Sequence, residues 1–344
     1  MLLKELTAAF GVSGCEQEIR TLLRRLCQER GATCSVDRIG NLVAQKSGGD
    51  TRAPHVLLAA HMDEVGLIVR GAHEEGYLRY APVGGVDPRV LVSKTVLCGE
   101  KRIPGVIGAK AIHLQSAEDK RRVLGHNDLY IDIGAKSGEE ALKLCPAGTY
   151  VVFDSPLEPM GDNCVVSRAL DDRVGCLALL HALEHGYCGE LTCVFTSMEE
   201  VGLRGARVAG QHLTYDLAVV LEGTTCNDLG DVPSEAQVCN LGKGVAISFS
   251  DRASIAHPRL RAAMETLARE KGIPAQPKRA STGGNDAGAL QTAAGAKPTV
   301  VLSVPCRYIH SPASVASLSD IQAQSDLVCA FLDALPALKA DIFD

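Results

Sequence analysis

Apolar residues recur at helical spacing in several parts of the chain, and short apolar runs lie between them. Near the start, Ile19, Leu22, Leu23 and Leu26 share one face of a predicted helix. Further helices are predicted over 174–183, 258–271 and 321–335. Runs of strand length occupy 33–36, 42–45, 55–60, 191–196, 217–221 and 299–304. This alternation predicts an α/β fold.

A different pattern interrupts this alternation between about residues 67 and 154. Short β-type segments are punctuated there by glycine and proline, as in Gly84-Gly85 and Pro104-Gly105, and helical periodicity is weak. We therefore predict a small β-rich domain over 67–154, inserted into a larger α/β domain that consists of 1–66 and 155–344.

Composition narrows the class of protein. The 344 residues are 46% hydrophobic and 22% charged, so the chain can bury a sizeable core. No apolar run approaches the roughly 20 residues of a membrane helix, and the first residues lack a secretory signal, which predicts a cytoplasmic protein. A net charge of −6 without long runs of one sign gives no reason to expect nucleic acid or a membrane as partner. Thirteen scattered cysteines without a Cys-x-x-Cys motif favour reduced packing residues.

The first segment with candidate chemistry follows the predicted strand over 55–60. His61 and Asp63 are two residues apart, so in an extended chain Asp63 can accept a hydrogen bond from the imidazole of His61. A carboxylate behind a histidine is the usual support of a metal-bound imidazole. A polar turn at the end of a strand explains the pair equally well.

A pair of adjacent carboxylates, Glu199 and Glu200, follows the predicted strand over 191–196. Such a pair is costly to bury beside an apolar strand unless a cation or shifted pKa values compensate the charge. One carboxylate can bind a metal while the other faces water, as in metal-assisted hydrolysis. The alternative is a solvated helix start, where glutamate is favourable.

Three further positions extend this candidate set. Asp171 stands just before the predicted helix over 174–183, where an aspartate can cap the helix or bridge two cations. Glu222 ends the apolar run over 217–221, and His310 follows a later strand, although a lone histidine there is more often structural. Two histidines, one bridging carboxylate, two terminal carboxylates and one free glutamate together match the needs of two divalent cations.

Four motifs carry these residues in a fixed order. They are Ala60-His61-Met62-Asp63-Glu64-Val65-Gly66, Arg168-Ala169-Leu170-Asp171-Asp172-Arg173-Val174-Gly175, Glu199-Glu200-Val201-Gly202-Leu203-Arg204-Gly205-Ala206 and Arg307-Tyr308-Ile309-His310-Ser311-Pro312. Their order resembles the dinuclear metallo-aminopeptidases of the tetrahedral (TET) type. This family includes glutamyl aminopeptidases and some members labelled endoglucanases, and the resemblance covers nearly the whole chain.

The resemblance implies two metal sites that share one carboxylate. The ligands would be His61, Asp171 and Glu222 at one site and Glu200, Asp171 and His310 at the other. The implied cofactors are two divalent ions per subunit, with Zn or Co expected before Mn. Histidine and carboxylate ligands suit all three metals.

Other roles follow from the same resemblance. Glu199 would be the general base, and Asp63 would orient His61. The free α-amino group of a substrate needs a negative partner, for which Glu222 and Asp286 are candidates; Asp286 ends the segment Thr282-Gly283-Gly284-Asn285-Asp286.

The fold that the resemblance implies is an α/β/α sandwich with a mixed central sheet, interrupted by a β-barrel-like domain. The barrel would help the chain to dimerise and would shape the entrance to the site. The implied partners are short peptides and further copies of the chain, as a dimer or a dodecamer.

The implied activity is the release of N-terminal residues from short peptides by water that two metals activate and Glu199 deprotonates. A second interpretation keeps the metal centre but makes the protein a deacylase or related amidohydrolase of modified amino acids. A third is a noncatalytic binding protein that kept the fold. Cellulase activity finds no support, because a glycosidase has no need of His61 and His310.

Overall fold

The computed structural model describes residues 2–279, 283–293 and 295–343, without the side chain of Asp119. The helices are α1 (Leu2–Ala8), α2 (Gln17–Glu29), α3 (Gly138–Leu144), α4 (Leu170–His185), α5 (Arg204–His212), α6 (Pro258–Lys271), α7 (Ala287–Gln291) and α8 (Leu318–Phe343). The strands are β1 (Thr33–Val36), β2 (Leu42–Ser47), β3 (Val56–His61), β4 (Gly66–Ala72), β5 (Leu78–Val83), β6 (Thr95–Cys98), β7 (Ile103–Ala109), β8 (Leu129–Asp132), β9 (Tyr150–Phe153), β10 (Glu158–Met160), β11 (Cys164–Ser167), β12 (Glu190–Thr196), β13 (Leu217–Thr225), β14 (Val245–Ser248), β15 (Ala275–Lys278), β16 (Thr299–Arg307) and β17 (Ser314–Ser317).

Eleven strands of the described ranges form one mixed sheet. Its order is β1-β2-β12-β3-β13-β16-β17-β11-β10, and β14, with β15 beside it, branches from β16. The centre of the sheet is parallel, because β12 and β13 flank β3 and β16 lies beside β13 in the same direction. Strand β3 is buried along its whole length, as expected for a strand that is covered on both faces. The carboxyl ends of the four parallel strands therefore meet at one edge.

Helices cover both faces of this sheet. Helix α4 packs on β3 and β13 and against α8, and Leu58, Leu180, Val219 and Phe331 belong to the apolar core on this face. Helices α5 and α7 cover the opposite face, where a second apolar cluster includes Val220. The predicted α/β/α sandwich with a mixed central sheet is confirmed.

Strands β4 to β9 close into a separate antiparallel barrel in the order β4-β5-β8-β7-β6-β9. Leu67, Tyr80, Ile107 and Val151 are among the side chains of its apolar interior. The chain leaves the main sheet after β3 and rejoins it with β10. The inserted barrel predicted for the fold is therefore present, while the exact division into domains at 67 and 154 stays a prediction.

Several elements extend beyond their predicted ends. Strand β13 continues past the apolar run to Thr225, because Glu222 to Thr225 keep pairing with β16. Helix α8 runs through Pro336 to Phe343, whereas the pattern predicts its end at 335. All thirteen cysteines are free thiols. Among the described helices, none is long and apolar enough to cross a membrane.

Candidate active site

Strand pairing brings the first two site residues together. His61 is the last residue of β3 and pairs with Thr196, the last residue of β12. On the other side of β3, Val220 of β13 pairs with Ala59, so Glu222 comes level with His61. Both side chains are almost fully buried.

The remaining site residues come from loops at the same edge. Glu199 and Glu200 lie in the loop between β12 and α5, Asp171 stands in the first turn of α4, and His310 follows β16. All five predicted metal ligands, and the predicted general base beside them, are thereby collected at the carboxyl ends of the parallel strands. Open α/β sheets place their binding sites at such an edge.

Two groups of potential metal-binding atoms share Asp171. Nε2 of His61 lies 3.3 Å from Oδ1 of Asp171 and 3.7 Å from Oε2 of Glu222. Nε2 of His310 lies 3.2 Å from Oε2 of Glu200 and 3.8 Å from Oδ2 of Asp171. Within each group the donor atoms lie within 4.8 Å of one another. The two oxygens of one carboxylate therefore face two different histidines, as a bridging ligand must.

Glu199 lies beside both groups. With His61 and Glu200 it forms a further set of donor atoms within 4.8 Å. Burial raises the pKa of Glu199 well above its ordinary value; attraction from His61 opposes this shift, while repulsion from Asp286 and Glu200 adds to it.

The charge balance of the cluster calls for additional cations. Burial raises the pKa of Glu200 and of Glu222 well above the usual range, and repulsion from Asp171 adds to the effect. Burial opposes the charged form of His61, yet the carboxylates of Asp171 and Asp63 hold its pKa well above the usual value. Among the described residues, Oε1 of Glu222 is buried with no hydrogen-bond partner. A buried carboxyl group stays ionised only when it is paired with positive charge, and histidine and carboxylate donors fit divalent transition metals.

Asp63 holds the turn that carries both glutamates. Its carboxylate accepts the backbone N–H groups of Glu199 at 3.0 Å and Glu200 at 3.2 Å, and the hydroxyl of Ser13 at 2.5 Å. Nδ1 of His61 lies 3.1 Å from the backbone carbonyl of Asp63 and 3.6 Å from its carboxylate. The backbone carbonyl of Asp63 is thus the nearer oxygen to Nδ1 of His61, and its carboxylate, which also holds the turn, is slightly farther away. The predicted orienting role of Asp63 stays a prediction.

A buried ionic cluster joins this turn to α4. The carboxylate of Glu64 accepts from Arg168 and, at 3.0 Å, from Arg173. Asp172 accepts the backbone N–H of His61 at 3.2 Å and that of Gly175 at 3.0 Å, so it links the end of β3 to the helix. The peptide bond between Asp171 and Asp172 is cis. Sequence reasoning did not identify these contacts, although the motifs contain every residue involved.

Left-handed backbone conformations surround the site at residues other than glycine. They occur at Ala169, Met198, Leu203, Tyr308 and His310, with φ values between 53° and 61°. Such conformations are unfavourable for residues that carry a Cβ and persist only where the surrounding structure imposes them. The loops are therefore held in the shape that presents the ligands.

A cavity of about 540 Å³ opens on this cluster. Its wall includes His61, Asp171, Glu199, Glu222 and His310, together with uncharged residues of β13 and of the segment over 283–285.

The structure places Asp286 behind this wall. The residue is fully buried and accepts a hydrogen bond from the hydroxyl of Thr196, and burial raises its pKa to about 6. Its neighbour Asn285 lines the cavity instead. The chain turns into α7 here and directs Asp286 toward β12, and its predicted contact with a substrate stays a prediction. Thr282, at the start of the predicted segment, lies outside the described residues.

Comparison with known proteins gives a consistent result. A family model described as M42 glutamyl aminopeptidase matches residues 40–327. The chain is 32% identical to a lysyl aminopeptidase of Pyrococcus furiosus, over 97% of this chain and 96% of that protein. It is 31% identical to a glutamyl aminopeptidase of Lactococcus lactis, over 94% of this chain and 93% of that protein.

Solved structures agree along the whole chain. An aminopeptidase from the archaeon Desulfurococcus kamchatkensis has a TM-score of 0.94 at 33% identity, and the match covers 100% of this chain and 97% of that one. The TET1 peptidase of Pyrococcus horikoshii, described as able to assemble into a tetrahedron or a large octahedral shell, has a TM-score of 0.84 at 36% identity and matches 96% of this chain and 97% of that one.

The family match spans most of the chain, and the relatives cover it almost from end to end. The resemblance to TET aminopeptidases that the four motifs carry is thereby confirmed. The chain belongs to the M42 glutamyl aminopeptidase family and is a hydrolase of the aminopeptidase class.

Proposed function

We propose that this chain is an aminopeptidase that depends on two divalent cations and removes N-terminal residues from short peptides. The observation that carries the proposal is the position of Asp171, whose Oδ1 faces His61 and whose Oδ2 faces His310. One carboxylate between two ligand groups is typical of two-metal hydrolytic sites. The resemblance of the four motifs to the dinuclear metallo-aminopeptidases supports the same assignment.

The proposed ligands of one ion are His61, Asp171 and Glu222, and those of the other are Asp171, Glu200 and His310. Imidazole and carboxylate donors suit Zn and Co, and also Mn. When bound, such ions polarise a carbonyl group and lower the pKa of water.

Glu199 is the proposed general base. Its carboxyl group lines the cavity next to both proposed ligand sets without belonging to either of them. Asp63 fixes its backbone, and burial raises its pKa. A group with this proton affinity can take a proton from water and pass it to the departing amine. Of the two residues predicted to meet the substrate's α-amino group, Glu222 lines the cavity and keeps that role in the proposal.

We extend the proposal to assembly. The chain forms a homo-oligomer, a dimer or a dodecamer, and the inserted barrel takes part in pairing and shapes the entrance. Support comes from the Pyrococcus horikoshii TET1 peptidase, which is similar over 96% of this chain and is described as able to assemble into a tetrahedron or a large octahedral shell.

The experiment uses the full chain, freed of metal by a chelator and then supplied with Zn, Co or Mn in turn. Aminoacyl p-nitroanilides with a free amine are compared with N-acetylated amino acids. We expect the metal-restored protein to cleave the free-amine substrates and leave the acetylated ones intact. Cleavage of acetylated amino acids alone would instead support the deacylase interpretation.

The variant Glu199→Gln tests the role of the general base. It should retain two ions per chain, measured by elemental analysis, and lose about 10²- to 10⁴-fold in kcat. Glu235→Gln, which changes an exposed glutamate away from the cavity, is the matched control and should keep the parental rate. Parental turnover in Glu199→Gln contradicts the assigned role.

A further inference from the structure

Side chains from distant parts of the chain hold the turn that carries the proposed general base. The four consecutive backbone N–H groups of 197–200 all donate to such side chains. Asn41 accepts the first through Oδ1 at 2.9 Å, and Glu16 accepts that of Met198 through Oε1 at 3.2 Å. The carboxylate of Asp63 accepts the last two. The shape of this turn therefore depends on three side chains.

Glu16 is the acceptor that its own helix does not use. It stands at the N-cap position of α2, yet its side chain does not cap that helix. Oε1 instead accepts the N–H of Gly14 at 2.8 Å together with that of Met198, which is 182 positions away in sequence. Glu16 does not belong to the described wall of the active-site cavity. Its carboxylate thus reaches the turn from behind.

A carboxylate is costly at this position. Glu16 is 4% exposed. Burial raises the pKa of Glu16, the hydrogen bond from Gly14 opposes this shift, and repulsion from Asp63 adds to it. Packing alone does not explain an acid here, because an apolar side chain would fill the same volume without the cost of desolvation. What the acid contributes is an acceptor for the turn.

The residue that Glu16 holds has a strained backbone. Met198 has a φ of 53°, in the left-handed region that is unfavourable for a residue with a Cβ. Such a conformation persists only where the surrounding structure imposes it. A return of Met198 to negative φ would turn the chain that follows, and the carboxyl group of Glu199 with it.

We infer that Glu16 is a positioning residue for the general base: its carboxylate holds Met198 in the left-handed conformation that directs Glu199 into the cavity. The inference rests on the proposed aminopeptidase function and deepens it, because it names a residue outside the cavity on which that step depends. Since Glu16 lies behind the turn, its loss should affect turnover rather than the binding of substrate.

The experiment measures kcat and KM for an aminoacyl p-nitroanilide with the full, metal-restored chain. Glu16→Met removes the acceptor and keeps a side chain of similar length. We expect kcat to fall by about 10- to 100-fold with little change in KM, because a small misplacement of a catalytic group can cost a factor of about 100. Glu16→Gln keeps an oxygen acceptor and should lose only about two- to fivefold, since a neutral acceptor makes a weaker hydrogen bond.

Glu18→Met is the matched control. Glu18 is two residues further on, is exposed and pairs with Arg102 at the surface. This variant should keep the parental kcat. Bound ions are counted in every variant by elemental analysis, and each rate is measured well below the unfolding temperature of the variant concerned.

Three outcomes overturn the inference and leave the proposed function intact. Parental kcat in Glu16→Met, with a lower unfolding temperature, would assign Glu16 to stability alone. Equal losses in Glu16→Gln and Glu16→Met would assign the effect to the negative charge and not to the acceptor. A loss of kcat that excess Zn restores would assign Glu16 to the binding of metal.

A readout that does not require activity separates this inference from the proposed function. If the metal-restored parental chain cleaves no aminoacyl substrate, the proposed function fails, and the conformation of the turn decides the inference. Amide hydrogen exchange in a peptide that covers 195–203, followed by mass spectrometry, must then be faster in Glu16→Met than in the parental chain and in Glu18→Met. Equal exchange in the three proteins overturns the inference.

Discussion

Replacing Glu64 by glutamine removes one negative charge from between two buried guanidinium groups while keeping the size of the side chain. The side chains of Glu64, Arg168 and Arg173 are 3%, 6% and 0% exposed. Arg168 also donates to the carbonyls of Ala8 and Ala9. Arg173 has the carbonyl of Ala9, at 3.4 Å, as a further acceptor, and its Nε and Nη1 have no partner among the described residues.

The structure sets the size of the expected effect. Removing one partner of a buried ion pair costs about 3–5 kcal/mol, because the remaining charge stays buried without compensation. Glu64 faces two cations, so we expect Glu64→Gln to lower the free energy of unfolding by about 4–5 kcal/mol. Arg173→Met leaves Glu64 paired with Arg168, and we expect a loss of about 1–3 kcal/mol. The double variant should be more stable than Glu64→Gln alone.

The assay is urea unfolding followed by circular dichroism, at one protein concentration and with metal removed, so that binding and assembly do not differ between variants. Glu75→Gln, at an exposed position, is the matched control and should change stability by less than about 0.5 kcal/mol. The reasoning is refuted if Glu64→Gln costs less than about 1 kcal/mol, or if Arg173→Met costs as much as Glu64→Gln.

Two further predictions concern the metal centre. Asp171 belongs to both proposed ligand sets and Glu222 to one, so Asp171→Asn should weaken the binding of both ions, whereas Glu222→Gln should weaken the binding of one. Titration of chelated protein with Zn, followed by elemental analysis, distinguishes these results. Equal losses of bound Zn in the two variants would contradict the shared ligand. Ser13→Ala removes the hydroxyl that donates to Asp63 and should lower the free energy of unfolding by about 1.5–3 kcal/mol, the range for hydrogen bonds to charged groups. Ser234→Ala, at an exposed position, is its control.

The central sheet could be predicted because most of its strands are visible in the sequence as short apolar runs. Strand β3 is buried throughout, and such a strand has few polar positions to obscure the pattern. Strand β15, with the sequence Ala275-Gln276-Pro277-Lys278, has no such run, because it pairs with β14 alone and lies at the end of a branch of the sheet. Its position depends on long-range pairing that local pattern does not encode.

The ligands of the site could be predicted for a related reason. His61 and Glu222 stand out as candidates against the apolar runs before them, and the resemblance that the four motifs carry favours a metal-binding role over a structural one. The groups that support them do not stand out. Ser13 reaches Asp63 across 50 positions of sequence, and Arg168 reaches Glu64 across 104. A serine or an arginine at such a distance carries no local mark of its partner.

The sequence does not encode in which direction a side chain of a turn points. Asp286 and Asn285 are adjacent and both polar, yet Asp286 is buried behind the wall of the cavity and Asn285 lines it. The sequence also gives no sign that Lys278 lines the cavity, because a basic residue in a polar segment normally indicates a solvated surface. The four motifs contain the candidate metal ligands, whereas the wall of the cavity comes partly from a branch strand outside those motifs. The relatives named lysyl and glutamyl aminopeptidase match this chain at 32% and 31% identity, so similarity along the chain leaves the preferred N-terminal residue open.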